Sequence, residues 1–118
     1  MRRFWTIPLA LTAACSAAGA QETDRYERDV RCEMLTALVG GFFPGLDRAQ
    51  IRRLADASET YRARTAQSGA ALRKSEDAID EDRNAYLASV QSRFRGPDAE
   101  AAATETLNQS DRCVADLA

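Results

Sequence analysis

Between Thr23 and Val39 apolar residues recur at a helical interval: Tyr26, Val30, Met34 and Leu38 step by four, with Cys32, Leu35 and Val39 alongside. The pattern predicts a first helix, opened by Asp24 and Glu27 as an Asp-x-x-Glu cap and stopped by Gly40-Gly41. Phe42-Phe43-Pro44-Gly45 reads as the turn that follows. Leu46-Asp47-Arg48-Ala49-Gln50 then opens a second helix, with Asp47 as N-cap and Gln50 placed to reach back to it. Its apolar face is thin, made of Ile51, Leu54, Ser58 and Tyr61 and filled out mainly by Ala55.

The end of the second helix has two candidate positions. A break at Ser68-Gly69 is one, although Leu72, Ile79 and Tyr86 continue at seven-residue spacing and allow Gly69 to sit inside one long helix, giving three long helices. Ser75 is the other, because basic Arg73 and Lys74 before it and acidic Glu76 and Asp77 after it suit one helix's C-terminus followed by another's N-terminus. Either way a helix carries Ile79, Tyr86, Leu87, Val90 and Phe94 to a stop at Gly96-Pro97. A last helix starts at Asp98, with Ala103, Leu107, Val114 and Leu117 as its stripe and Cys113 at the stripe's edge.

Short connections favour antiparallel neighbours, so the predicted fold is all-α, a small four-helix up-down-up-down bundle whose last helix returns beside its first. Cys32 lies about two turns into helix one and Cys113 about one turn from the end of helix four. Antiparallel packing therefore brings the two cysteines to similar heights, and a disulfide between them is expected.

The front of the chain changes the reading of everything after it. Met1, Arg2 and Arg3 are followed by an uncharged run from Phe4 to Ala20 that ends in Ala18-Gly19-Ala20 before Gln21. This reads as a secretory signal peptide over residues 1–20, leaving one helical domain over 21–118; the run is too short and too rich in small residues to span a membrane. A rival reading makes Leu11-Thr12-Ala13-Ala14-Cys15 a lipoprotein signal with acylation at Cys15, but Thr12 stands where that signal carries a branched apolar residue. Cleavage before Gln21 discards Cys15 and leaves Cys32 and Cys113 as the only cysteines, a parity that suits an oxidising compartment, a bacterial periplasm or the exterior.

Loss of Arg2 and Arg3 with the signal moves the formal charge from −2 to −4, which makes the chain a poor ligand for a phosphate backbone. No nucleic-acid partner is expected. The chain has no histidine, which removes Ser-His-Asp and Cys-His catalysis, histidine-containing zinc sites, Glu-x-x-His di-iron bundles and histidine-ligated haem. Only the carboxylates, Tyr26, Tyr61, Tyr86 and Lys74 remain for acid or base work. No catalytic residue, cofactor or metal site is predicted.

Three clusters bear on binding chemistry. In Glu76, Asp77, Asp80, Glu81 and Asp82, the first calcium-loop positions are matched by Asp80, Asp82 and Asn84, but Ala85 replaces the required glycine and Gln91 the bidentate glutamate. The group reads instead as a helix start favoured by the dipole. Arg48, Arg52, Arg53, Arg62 and Arg64 are interrupted by Asp56 and Glu59 and read as a solvated face. Gly40 to Gly45 lacks the Lys and Ser/Thr of a phosphate loop.

The mature segment holds 21 large apolar residues (Val, Ile, Leu, Met, Phe, Tyr) against 17 alanines, so helix propensity is high and buried area low. Such a chain either folds as a slender bundle held by its disulfide or completes its core by dimerising or gripping a partner. Phe42 and Phe43 are the candidate partner contacts. Closure of the bundle end by both rings is the plainer expectation, and burial of one with exposure of the other is the alternative.

Leu46-Asp47-Arg48-Ala49-Gln50 resembles the Leu-Thr-x-x-Gln that precedes a long helix in exported helical stress chaperones of the Spy and CpxP type. Asp47 replaces the threonine, there is no second copy, and the two cysteines are foreign to that pattern. The resemblance implies ATP-independent binding of unfolded clients on a cradle-like surface. Two functions follow as expectations: a small exported helical protein that acts by contact with another protein, and a holdase-type chaperone.

Overall fold

A computed structural model describes residues 3–118, with side chains from Gly19 onward. The expected signal segment, residues 1–20, with Cys15 inside it, falls almost entirely outside the described side chains. Among the described residues the chain forms four helices: α1 (Arg3–Phe42), α2 (Arg48–Ala71), α3 (Glu76–Phe94) and α4 (Ala99–Ala115). No strand occurs among the described residues. Pairings across α1 and α2 run in opposite senses, Tyr26 meeting Gly69 and Gly40 meeting Leu54, so these helices are antiparallel. Tyr26 with Asp82 and Phe43 with Phe94 set α3 parallel to α1. The last helix runs back along α1, and Cys32 and Cys113 are bonded with their Cα atoms 5.5 Å apart, joining first and last helices.

Local chemistry sets the boundaries. Gly40-Gly41 does not stop α1, which continues through Phe42 with Phe43 N–H still donating to the Val39 carbonyl at 3.1 Å. The turn comes from Pro44, which lacks a donor, and Gly45, whose φ of +82° only glycine adopts freely. At the other end Asp24 is interior to α1 and starts nothing, because the Ala-rich residues before it support helix and the Thr23 hydroxyl donates to the Gly19 carbonyl at 2.9 Å. The α2 cap is as the sequence predicts: Gln50 N–H donates to Asp47 Oδ1 at 2.8 Å and Asp47 N–H to Gln50 Oε1 at 2.9 Å, a closed capping box.

Of the two candidate breaks, Ser75 is the one used. Gly69 lies inside α2, Arg73 takes a left-handed φ of 57°, and Ser75 caps α3 by accepting the Ala78 N–H at 3.1 Å. Gly69 lets the helices close there, because a Cβ would stand 2.6 Å from Ile79 Cδ1 and 3.2 Å from the Tyr26 ring and the Ile79 side chain would have to shift. The seven-residue spacing of Leu72, Ile79 and Tyr86 therefore spans a turn, yet all three pack in one cluster around Tyr26 and Val30.

Two apolar stripes sit a step away from their expected places. In α2 the buried line is Leu54, Ala57, Tyr61, Thr65 and Ser68, while Ile51 and Ala55 are exposed and Ser58 half-buried. In α4 the buried line is Ala102, Thr106, Ser110 and Cys113, and the expected Ala103, Leu107, Val114 and Leu117 are only half-buried. The cause is the disulfide together with Tyr61, whose hydroxyl donates to the Cys113 carbonyl at 2.6 Å and turns Cys113 from the stripe's edge to its centre.

The interior is consequently more polar than the sequence pattern implied. Thr36 and Thr106 are buried because their hydroxyls donate to carbonyls four residues back, Cys32 and Ala102, each at 2.7 Å, leaving the methyls for packing. Buried Glu33 pairs with Arg83 at 3.0 Å, and Asp29 Oδ2 accepts from the Ser68 hydroxyl at 2.9 Å. Small polar residues can line this interior because the helices approach closely, as the alanine-rich composition requires.

Candidate functional site

An antiparallel bundle gathers the α1–α2 and α3–α4 connections at one end, and the large aromatic rings beside them meet there. Phe43, half-buried, packs on Phe94 with ring centroids 6.2 Å apart and planes tilted by 60°. Phe42, one residue earlier and the last residue of α1, lies outside that contact and is 80% exposed. Closure of the core by both rings is thus corrected: α1 runs on to Phe42, Phe94 arrives from α3 to cover Phe43, and among the described residues no element of the bundle covers Phe42.

Between these rings and α4 lies a cleft of about 650 Å³. Its walls are Leu38, Phe42, Phe43 and Pro44 on one side, Phe94 at its base and Ala99, Ala103 and Leu107 on the other, with only Gln91 and Thr104 polar and no charged side chain. It exists because the buried line of α4 is small. With Ala102 and Thr106 turned inward, Leu107 and Ala103 are left on the rim of a groove that no helix fills. The sequence pointed to Phe42 and Phe43 but not to Phe94, Leu107 or Leu38; the proximity of Phe43-Pro44 and Phe94-x-Gly96-Pro97 to connections at one end was the available signal.

The bundle's opposite end sets a charged cluster on the apolar group of Tyr26, Val30 and Ile79. The Tyr26 hydroxyl donates to Asp82 Oδ2 at 2.6 Å, Lys74 Nζ lies 3.2 Å from the same oxygen, and the ammonium sits 5.1 Å above the Tyr26 ring. Burial, and then the hydrogen bond to Asp82, push the Tyr26 hydroxyl well above its ordinary value. That same hydrogen bond, with Lys74 behind it, holds the Asp82 carboxyl below the usual range. Shifts in these directions keep the Tyr26 hydroxyl protonated and the Asp82 carboxylate ionised, the forms their hydrogen bond requires, and with Lys74 the group ties α1 to α3 and the turn before it. Tyr61 and Tyr86 are also pushed up, in each case first by burial.

Asp80, of the acidic cluster, is committed to Arg83 at 2.9 Å, while Glu76 and Asp77 occupy the first turn of α3. Among the described residues no group of three Cys, Asp or Glu side chains is placed to hold a metal ion. The arginines of α2 are exposed, with Arg64 lying 5.6 Å from the Tyr61 ring centroid. Among the described residues no helix is long and apolar enough to cross a membrane. No protein-family model, curated protein or solved structure matches the chain.

Proposed function

We propose that this chain is a small exported helical protein, clasped by one disulfide, that acts through contact with another protein at the cleft between Phe42 and Leu107. The observation that carries this reading is the cleft itself: an uncharged apolar groove of about 650 Å³ rimmed by a phenylalanine that is 80% exposed. A ring so exposed gains from being covered, at about 25 cal/mol per Å² of apolar surface removed from water. Export to an oxidising compartment, a bacterial periplasm or the exterior, is supported by the signal-like residues 1–20 and is compatible with the disulfide.

A holdase cradle is the weaker reading. Among the described residues the large exposed hydrophobics are Phe42 and Ile51, and the remaining outer faces are charged or alanine-lined, which suits a bounded contact and not an extended client surface.

The test is site-specific photocrosslinking in cells that express the full chain, with a benzophenone side chain at position 42 or at position 62. Discrete adducts from position 42 and none from the exposed polar position 62 are expected. Equal yields from both positions, or none from position 42, defeat the reading. Intact mass of the same material reports export, with a chain beginning at Gln21 expected and a lipid on Cys15 refuting the soluble form.

A further inference from the structure

On one flank of α4, Glu100, Thr104, Leu107, Asp111 and Val114 follow each other in alternating steps of four and three, the spacing of a seam between two helices. Leu107 and Val114 are only half-buried there, and Glu100, Thr104 and Asp111 are exposed. The flank joins the end cleft to a second cleft of about 490 Å³, where Leu46, Arg53 and Leu54 face Val114, and Leu107 lines both. We infer that this flank is the seam of a homodimer in which α4 of a second copy packs antiparallel to it about a two-fold axis at Leu107. The inference rests on the reading of the end cleft as a contact surface and makes the protein that covers it a second copy of this chain, so that the adducts expected from position 42 join two identical chains.

Charge and spacing select a second copy and its direction. At a rise of about 1.5 Å per residue, Glu100 and Val114 each lie about 10 Å from Leu107, on opposite sides. A two-fold axis at Leu107 exchanges these ends, so the end cleft of one copy faces the second cleft of the other. Exposed Phe42 then meets half-buried Leu46 of the second copy, and Glu100 comes level with the second copy's Val114 and the Arg53 beside it. Neither Glu100 nor Arg53 has an ion-pair partner among the described residues. Parallel packing sets Glu100 against Glu100 and Asp111 against Asp111, a like-charge arrangement that the antiparallel one avoids. Symmetry makes every contact twice.

The test is sedimentation equilibrium on the full chain with its disulfide intact. The wild type should be a dimer. Glu100→Arg and Arg53→Glu each replace two opposite-charge pairs by like-charge pairs at exposed positions, and each should weaken self-association by about tenfold or more. Mixing the two variants should restore the dimer as a heterodimer, because both pairs are then opposite in sign, and the double variant should also self-associate. A monomer at every concentration overturns the seam, and if position 42 still crosslinks to another protein the contact-surface reading survives it. A dimer indifferent to both variants, or variants that do not recover on mixing, also overturns the seam. Loss of both the dimer and the position 42 adducts removes both readings.

Discussion

Reduction of the Cys32–Cys113 bridge should cost this chain a large share of its stability. The bond closes a loop of 81 residues, and chain entropy assigns a loop of that length about 4 to 5 kcal/mol at 25 °C, an upper figure because reduced chains retain some compactness. A domain of this size has roughly 5 to 15 kcal/mol in total. Both sulfurs are buried against Leu35 and Tyr61, so reduction leaves the packing volume in place and removes chiefly the constraint on the unfolded chain. The Tyr61 hydroxyl still ties α2 to the Cys113 carbonyl, and the α2 capping box is remote from the bridge, so helix content should survive in the cold. The expected result is a fall in melting temperature of roughly 20 to 30 °C, followed by far-ultraviolet circular dichroism with and without reductant, with free thiols counted in the same samples. Two free thiols with an unchanged melting temperature would refute the topological role given to the bridge.

Arg83→Met strips the partner from buried Glu33 and should destabilise by about 3 kcal/mol in urea unfolding, while Glu33→Leu with Arg83→Met should recover most of it. Failure of the double variant to recover would show that the pair is more than an isolated buried salt bridge. Gly69→Ala, where the new methyl meets Ile79 and Tyr26, should be at least about 1 kcal/mol less stable than Gly41→Ala, where nothing lies within 4 Å; equal values would mean that Ile79 moves aside freely. Alkaline pH should destabilise the fold: raised tyrosine values mean that the protonated forms favour the native state, a contribution complete below the unfolded value of 10.0 and lost as pH climbs beyond it. Asp82, lowered, acts at the other limb, its contribution present above the ordinary carboxylate value and lost as pH falls below it. Melting curves with tyrosinate absorbance read the alkaline limb, and Tyr26→Phe should flatten it; a flat wild-type profile above pH 10 would contradict the burial of the three hydroxyls.

The all-helical class and the order of the elements were legible in the chain because each rests on local chemistry, whereas the break between α2 and α3, and with it the choice between four helices and three, was left for the structure to place at Ser75. Four-residue apolar spacing marked α1, Asp47 with Gln50 made the α2 cap, and Gly96-Pro97 ended α3. The disulfide was legible too, since parity and helix counting both converge on Cys32 and Cys113. What local pattern did not carry is which way each helix is rolled. Alanine, threonine and serine are small enough to face either the core or solvent, so the apolar stripe of α4 gave no decision; the bond at Cys113 and the Tyr61 hydroxyl turned Thr106 and Ser110 inward and left Leu107 and Val114 at the surface. The same rotation opened the cleft. Phe42 and Phe43 stood in the sequence as a pair with two open fates, both rings closing the bundle or one buried and one exposed, and only the helical continuation past Gly41, with Phe94 arriving from α3, decided for the second. Residue spacing fixes what a helix can bury, and the partners it meets in space decide what it does bury.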